Sequence, residues 1–258
     1  MQAPELSIVI PLYNEEANLP TAPAAVSAAL RDAGLDYELV LVNNGSRDRT
    51  GEMLDEMARR DPRIRIVTVP VNEGYGWGVT CGLALCRGSA VGYMGGDGQI
   101  RPDDVVRVYR LLRERHLHLA KVKRVTRQDG WQRRVVTTIC NHVFPLLFPV
   151  ATPDINGTPK IMRADVYRAL RPRSRDWFID AEIMIKLGAR GGTYGEIDVE
   201  FLPRAGGTSN VRPSSLLEFV LNIVRYMFEP WRWRAGANDA QLPRNGRTKV
   251  IAIPEDAR

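Results

Sequence analysis

The sequence predicts an α/β protein with a mostly parallel β-sheet flanked by helices. Short apolar, β-branched segments alternate with helical segments at intervals of roughly 20 to 30 residues, which is typical of right-handed βαβ units. Polar clusters follow three of these apolar segments, at the edge where parallel sheets bind ligands. Together the two observations predict one sheet with a ligand crevice at its edge.

Four strands and three helices are predicted in the first hundred residues. Apolar runs rich in β-branched residues indicate strands at 5–13, 37–46, 64–70 and 89–94, and helical spacing indicates helices at 24–34, 48–60 and 77–88. Gly34 and Gly88 are the predicted ends of the first and third helices. The polar clusters YNEE, NNGS and GGDGQ follow the first, second and fourth strands, so we expect them to converge.

The second half of the sequence is less regular. We expect a strand at 119–125, a helix running into an apolar stretch at 129–151, a short strand and a helix within 154–170, a helix at 176–192, a strand beginning at 193 and an apolar helix at 214–228. KVIAI (249–253) is a candidate edge strand in a polar tail. We predict one domain at 1–212, with a nucleotide-binding half (1–100) and an acceptor-side half (101–212). A helix with a basic, Trp-rich end (213–234) follows this domain, and a polar tail (235–258) follows the helix.

Composition narrows the class of protein. The net charge of +6 predicts an anionic partner, but neither zinc-ligand spacing nor an RNA-binding signature is present, so nucleic acid is not expected. No run approaches ~18 apolar residues, and the N-terminal apolar run is too short for a signal peptide. Three cysteines without a CxxC pair indicate reduced thiols. A cytoplasmic protein is expected, and the sequence does not indicate its oligomeric state.

YMGGDGQI (93–100) places Asp97 and Gln99 among glycines at the end of a predicted strand. One carboxylate and one carboxamide suit a divalent cation that takes its remaining ligands from phosphates and water. A turn explains Gly-Asp-Gly equally well. The spacing therefore leaves a turn and a metal site as alternatives.

Seven segments in the same order resemble the family 2 glycosyltransferases of GT-A fold: SIVIPLYNEE, ELVLVNNGSRDRT, NEGYGWGVTCGLALCRG, YMGGDGQIRPDD, DINGTPKIMRAD, DWFIDAEIM and VEFLPRAGGTSNVR. The resemblance covers roughly residues 5 to 212 and is closest to the dolichyl- and polyprenyl-phosphate sugar synthases. It implies a Rossmann-like GT-A sheet, a UDP- or GDP-sugar donor, Mg²⁺ or Mn²⁺, and a lipid phosphate acceptor.

The resemblance also implies roles for individual residues. It assigns the nucleotide to Pro11, Tyr13, Glu15, Asn43, Asn44 and Asp97; the metal to Asp97 and Gln99; catalysis to Asp180, Glu182 and Arg204; and the phosphate or acceptor to Arg204 and Ser209. The basic cluster KVKRVTR and its surroundings add Lys123, Arg124, Arg127, Arg133 and Arg212 as acceptor-side cations.

The sequence departs from the family pattern in three places, at four positions. Gly95 stands where the first Asp of Asp-x-Asp-x-Gln is expected, which predicts weaker metal binding. Asn43 and Asn44 replace two base-reading acids, and an Asn both accepts and donates, which predicts altered recognition of the base. Asn210 replaces a Lys whose charge Arg212 can supply.

Asp180 has two interpretations. It is the candidate general base for an acceptor hydroxyl, or a helix-start residue that the helix dipole stabilises. A phosphate acceptor is already ionised near neutral pH and needs no base. NEGYGWG (72–78) likewise either faces the diphosphate or caps a helix.

The expected function is sugar transfer to a polyprenyl phosphate at the membrane surface. The helix at 214–228 and FEPWRWR (228–234) suit either core packing or peripheral contact with a membrane interface. A glycosyltransferase for a soluble acceptor and a catalytically weakened nucleotide-sugar binding protein are the alternatives.

Overall fold

One eight-stranded sheet organises the chain in a computed structural model that describes residues 3–126, 144–150, 152–202, 213–230, 233 and 250–252. The strands are β1 (Leu6–Leu12), β2 (Tyr37–Asn44), β3 (Ile64–Val69), β4 (Ala90–Tyr93), β5 (Leu119–Thr126), β6 (Lys160–Arg163), β7 (Tyr194–Glu200) and β8 (Val250–Ala252). Their spatial order is β3-β2-β1-β4-β6-β5-β7-β8.

The sheet is mostly parallel, as predicted. Strands β1 to β4 pair in parallel, and so do β5, β7 and β8. The exception is β6, which lies antiparallel between β4 and β5. This strand joins the two predicted halves of the chain into one sheet.

Seven helices of at least seven residues lie in the described part of the chain and cover both faces of the sheet. They are α1 (Ala22–Asp32), α2 (Thr50–Arg60), α3 (Tyr75–Leu83), α4 (Pro102–Glu114), α5 (Ala164–Leu170), α6 (Ile179–Ala189) and α7 (Pro213–Phe228). Apolar side chains of α1, α2 and α4 share one core with the sheet. Those of α3, α5 and α6 share the other core. The arrangement is the predicted one of a sheet flanked by helices.

The predicted strands are all present within one to three residues of their expected bounds, and KVIAI contributes the edge strand β8. The helix predicted at 214–228 is present as α7. Of the stretch 129–151 only 144–150 is described, and it contains a helical turn at 144–147. The rest of that prediction lies outside the described residues.

Two helix predictions need correction. The helix expected at 77–88 ends at Leu83, because Glu38 and Ser7 bind the backbone amides of Arg87 and Gly88 and draw this segment out of the helix. The second correction concerns α4, where no helix was predicted. Helix α4 begins at Pro102 with two aspartates in its first turn, which are ordinary signals of a helix start.

Glu38 ties β1, β2 and the segment before β4 together at the end of the sheet opposite the polar clusters. Its carboxylate accepts hydrogen bonds from the Ser7 hydroxyl (2.7 Å), the Arg87 amide (2.7 Å) and the Arg87 guanidinium (2.8 Å). Burial raises the pKa of the Glu38 carboxyl, but the hydrogen bonds from Arg87 and Ser7 outweigh it, so the pKa lies below its usual value.

We expect Glu38→Gln to lower the free energy of unfolding at pH 7 by about 1–3 kcal/mol, because a buried charged acceptor with several donors is lost. Since folding lowers the pKa of Glu38, its contribution is present above the unfolded value of 4.5 and is lost as the pH falls through the lower folded value.

Urea unfolding at pH 7 and at successively lower pH measures this difference. The gap between wild type and Glu38→Gln should shrink below pH 4.5, and a gap that stays constant would contradict the assignment. Glu56→Gln, which removes an exposed ion pair with Arg60, is the control and should cost less than about 1 kcal/mol.

Candidate active site

The loops that follow β1 and β2 are hydrogen-bonded to each other, as the convergence of YNEE and NNGS predicts. The Asn14 amide donates to the Ser46 hydroxyl (3.1 Å), and the Arg47 amide donates to the Asn14 side-chain oxygen (2.9 Å). The Glu15 amide donates to the Thr50 hydroxyl at the start of α2 (2.9 Å). These bonds fix one wall of a crevice beyond the carboxyl ends of the parallel strands.

Pro11, Tyr13 and Glu15 stand on this wall with partly exposed side chains. Pro11 belongs to β1, and the other two follow it directly. The Glu15 carboxylate accepts a hydrogen bond from the Asn18 side chain (2.6 Å), which orients it within the loop. The three side chains are therefore available to a ligand at the edge of the sheet.

Asn43 and Asn44 do not act as a pair. Asn43 is partly exposed and accepts a hydrogen bond from the Ser46 amide (3.1 Å). Asn44 is buried on the opposite face and donates to the Gly74 carbonyl (3.0 Å). Successive residues of a strand point to opposite faces, so the two side chains extend from different faces of β2. The Asn44 side chain supports the turn before α3, and its expected contact with the base stays a prediction.

The Gly95–Gln99 segment forms a turn around Asp97. The Asp97 carboxylate accepts a hydrogen bond from the Gln99 amide (3.2 Å), and Gly98 has a positive φ of 71°. The Gln99 side chain donates to the Leu202 carbonyl (3.1 Å), while the Leu202 amide donates to the Gln99 carbonyl (2.9 Å). The segment thus forms the turn that the sequence allowed as one of two alternatives. Gln99 connects this turn to Leu202, two residues after β7.

The turn still leaves room for a ligand beside Asp97. A Cβ added at Gly95 would lie 3.5 Å from a carboxylate oxygen of Asp97 and would contact nothing closer. A Cβ at Gly96, by contrast, would come within 2.5 Å of the buried Leu12 side chain. Position 95 therefore faces the same space as the Asp97 carboxylate.

Tyr75 brings Asp97 and Asp180 into one neighbourhood. Burial raises the pKa of the Tyr75 hydroxyl well above its usual value, and the charges of Asp180 and Asp97 raise it further. The Arg124 charge acts in the opposite direction. The charges of Asp97, Asp180 and Arg124 thus all act on the hydroxyl end of Tyr75.

Asp180 is buried at the start of α6 and has two partners. Its carboxylate forms an ion pair with Lys160 and accepts a hydrogen bond from the Tyr93 hydroxyl (2.7 Å). Burial lowers the pKa of Lys160 to about 8, although the Asp180 charge opposes the shift. The two partners hold the Asp180 carboxylate in one orientation. A helix-start residue that only the helix dipole stabilises does not need such partners.

Glu182 is held inside the protein by a charge and by backbone amides, and its expected catalytic role stays a prediction. It is fully buried, pairs with Lys186 one turn along α6 (2.6 Å) and accepts hydrogen bonds from the backbone amides of Arg173 (2.9 Å) and Ser174 (2.6 Å). Lys186 donates to the Arg171 carbonyl (2.9 Å). The pair holds the 171–178 loop, which leads into α6.

The acceptor-side cations of β5 both pair with acids. Lys123 pairs with Asp198 (2.7 Å), and Arg124 makes a two-point contact with Asp154 (2.6 and 2.8 Å) and lies over the Phe201 ring. The remaining predicted residues lie outside the described residues: Arg127, Arg133, Arg204, Ser209 and Arg212.

Sequence reasoning missed Tyr75, Tyr93 and Lys160. NEGYGWG contains Tyr75, but its two interpretations, a segment facing the diphosphate and a helix cap, concern its backbone and not this side chain. Lys160 lies in an apolar strand, where a lysine is unexpected unless it is paired. A lysine in an otherwise apolar strand was therefore the signal in the sequence that could have indicated a buried ion pair.

Three further features of the part of the chain that the structure describes bear on the site. No group of three His, Cys, Asp or Glu side chains that could hold a metal is found there. No helix there is long and apolar enough to cross a membrane. An apolar cavity of about 180 Å³ beneath the Gly95–Gly98 turn is lined by Ile10, Val26 and Met94 among others and by no charged side chain. That cavity does not suit a diphosphate.

Comparisons with known proteins agree with this geometry. The sequence model of the family described as Glycosyl transferase family 2 matches residues 7–176. The undecaprenyl-phosphate 4-deoxy-4-formamido-L-arabinose transferase of Pseudomonas paraeruginosa is 32% identical over 225 residues, which are 86% of this chain and 65% of that protein. The enzyme of the same name from Pseudomonas fluorescens is 30% identical over 227 residues, or 86% of this chain and 64% of its own. The chain thus spans slightly less than two thirds of the length of these curated relatives.

A solved structure shares the fold. It is glucosyl-3-phosphoglycerate synthase from Mycobacterium tuberculosis, in complex with Mn²⁺, UDP-glucose and phosphoglyceric acid. The TM-score is 0.67 at 19% identity, covering 91% of this chain and 81% of that one. The GT-A fold predicted for this chain is thereby confirmed.

The role of Glu182 can be tested by unfolding. Glu182→Gln leaves Lys186 buried without its counter-charge, so we expect the free energy of unfolding to fall by about 3–5 kcal/mol. The double variant E182L/K186M removes both charges and should recover most of the loss. Chemical denaturation of the three proteins is the measurement. A Glu182→Gln variant as stable as wild type would contradict the structural role.

Proposed function

The chain belongs to glycosyl transferase family 2, and on that premise we propose that it transfers a sugar from a nucleotide-diphosphate sugar to a polyprenyl phosphate. The observation that carries the proposal is the convergence of Glu15, Asn43 and Asp97 at the carboxyl ends of β1, β2 and β4. In open α/β sheets this edge is where nucleotides bind. The curated relatives, which carry the name of undecaprenyl-phosphate sugar transferases, support the choice of acceptor.

The nucleotide is expected on the wall formed by the loops after β1 and β2. Tyr13 and Pro11 offer partly exposed apolar surface to a base, and Asn43 offers an amide that donates as well as accepts. Asp97 lies at the start of the next loop, towards the diphosphate. UDP is the first nucleotide to test, because the solved relative of the same fold binds UDP-glucose.

Asp97 fits a divalent cation that the diphosphate holds in large part. One carboxylate with open space beside it, at Gly95, suits Mg²⁺ or Mn²⁺, which in such sites take most of their ligands from phosphate and water. When bound, the cation would neutralise charge on the leaving diphosphate. The Gln99 side chain donates an N–H to the Leu202 carbonyl, so its side-chain carbonyl oxygen is the atom that can bind the cation.

Transfer to a phosphate needs no general base. A bond forms between a phosphate oxygen of the acceptor and the anomeric carbon, while the bond from that carbon to the diphosphate oxygen breaks and the nucleoside diphosphate leaves. The acceptor oxygen is already ionised near neutral pH. We therefore assign Asp180 to positioning: with Lys160 and Tyr93 it fixes the start of α6.

Helix α7 supports contact with a membrane surface. Five large apolar side chains are exposed along it: Val220, Leu221, Val224, Met227 and Phe228. The opposite side contacts the protein through Asn222 and Tyr226. An amphipathic helix of this kind lies in the membrane interface without crossing it. Placement at the cytoplasmic face stays a prediction, as do the acceptor roles of Arg127, Arg133, Arg204, Ser209 and Arg212.

The decisive test is transfer of radiolabel from a panel of UDP-sugars to undecaprenyl phosphate in detergent. We expect a lipid-linked product with at least one donor, and a loss of at least about 100-fold in kcat for Asp97→Asn, because charge on the leaving diphosphate is no longer neutralised. Asp165→Asn changes an exposed carboxylate paired with Arg163 and should keep wild-type rates.

Two outcomes would contradict this function. Turnover on water-soluble acceptors with none on the lipid phosphate would favour a soluble acceptor. Nucleotide-sugar binding without turnover on any acceptor would favour a binding protein that has lost catalysis.

Gly95 offers a gain-of-function test. Gly95→Asp adds a carboxylate beside Asp97 in open space, so the Mn²⁺ concentration for half-maximal activity should fall about tenfold. Gly95→Asn adds the same volume without charge and is the matched control, with a much smaller effect expected. Activity measured against Mn²⁺ concentration decides between them. Equal behaviour of the two variants would remove position 95 from the metal site.

A further inference from the structure

The first turn of α3 and the 171–178 loop pair along their length. The Trp77 amide donates to the Arg175 carbonyl (2.9 Å), and the Arg175 guanidinium lies over the Trp77 ring at 4.4 Å. Tyr75 and Trp177 stack at 4.4 Å between ring centroids with only 10° between their planes. Gly74 and Gly76 permit this approach, since a Cβ at either would lie within 2.6 Å of the loop backbone.

The Tyr75–Trp177 stack lies between the crevice and helix α7. On the crevice side, the Asn44 side chain at the end of β2 donates to the Gly74 carbonyl directly before Tyr75 (3.0 Å), and the charges of Asp97 and Asp180 raise the pKa of the Tyr75 hydroxyl. On the other side, the neighbours of Trp177 contact α7: Asp176 accepts a hydrogen bond from Asn222 (2.6 Å), and Phe178 packs edge-on against Tyr226 at 4.8 Å. The stack therefore bridges the site of chemistry and the helix with the exposed apolar face.

Trp177 keeps 37% of its surface exposed although it is stacked, and the Asp176 and Phe178 contacts on either side fix its position. A fixed, partly exposed aromatic surface gains free energy when an apolar ligand covers it. The ligand that fits must bring a reactive phosphate to the crevice and an apolar chain toward α7. A polyprenyl phosphate has this order of groups, and a sugar or nucleotide does not.

We propose that the Tyr75–Trp177 stack binds the isoprene units next to the acceptor phosphate, and that the exposed face of α7 accompanies the units beyond them. This inference rests on the proposed function. It adds a specificity site, because the stack selects acceptors by the part of the chain adjacent to the phosphate. The more distant units contribute through α7 alone.

The test is equilibrium binding of geranyl phosphate, which has only two isoprene units, to the full chain with saturating UDP and Mn²⁺. Trp177→Ala should raise its Kd roughly tenfold, because the apolar contact is lost. Trp177→Phe keeps an aromatic surface and should stay within about threefold of wild type. UDP binding measured on each variant checks that the crevice is intact.

Two controls separate the stack from other apolar surface. Leu221→Ser, on the exposed face of α7, should leave the Kd of geranyl phosphate unchanged while weakening undecaprenyl phosphate in detergent. Leu85→Ala removes an exposed leucine just beyond α3 and should change neither.

Equal affinity of geranyl phosphate for wild type and both Trp177 variants would overturn the inference. It would not contradict a polyprenyl phosphate as the acceptor. Loss of UDP-sugar affinity in Trp177→Ala, with geranyl phosphate unaffected, would overturn it by making the stack a donor-sugar site. If wild type binds neither isoprenoid phosphate, the proposed acceptor fails and the inference fails with it.

Discussion

A buried row of polar side chains across the middle of the sheet is the constraint on which the other features depend. Tyr93, Lys160, Lys121 and Glu196 are register partners on β4, β6, β5 and β7, and none is more than 5% exposed. Lys121 pairs with Glu196 (2.7 Å), and Lys160 pairs with Asp180 of α6. Removing one member of such a pair costs about 3–5 kcal/mol, because its partner is left as an uncompensated buried charge.

This row fixes the position of the site. Tyr93 ends β4 two residues before Gly95, so the turn that holds Asp97 begins where the row begins. Lys160 and Tyr93 together hold Asp180 and with it the start of α6. The Glu182–Lys186 pair, which begins two residues further along that helix, holds the 171–178 loop. Buried charges thus position the crevice and the Tyr75–Trp177 stack beside it. The groups that face a ligand lie on the loops.

Local patterns in the sequence predict most of the fold and part of the site. Apolar periodicity located every strand, and the polar clusters after β1, β2 and β4 located the crevice. The antiparallel insertion of β6 could not be predicted, because it depends on pairing between residues far apart in the chain. The sequence could have predicted that Asn43 and Asn44 differ in position, because alternation along a strand puts them on opposite faces. It could also have predicted the Glu182–Lys186 pair, because a spacing of four residues matches one helical turn.

If the proposed function is right, the crevice around Asp97 binds a nucleoside diphosphate through a divalent cation. Calorimetric titration of the pure protein with UDP, GDP, CDP and dTDP, each with Mn²⁺ and with EDTA, measures this. We expect that one nucleotide binds tightly with Mn²⁺, that EDTA weakens this binding strongly, and that Asp97→Ala removes the difference. Binding that is equally tight with Mn²⁺ and with EDTA would exclude a cation at Asp97.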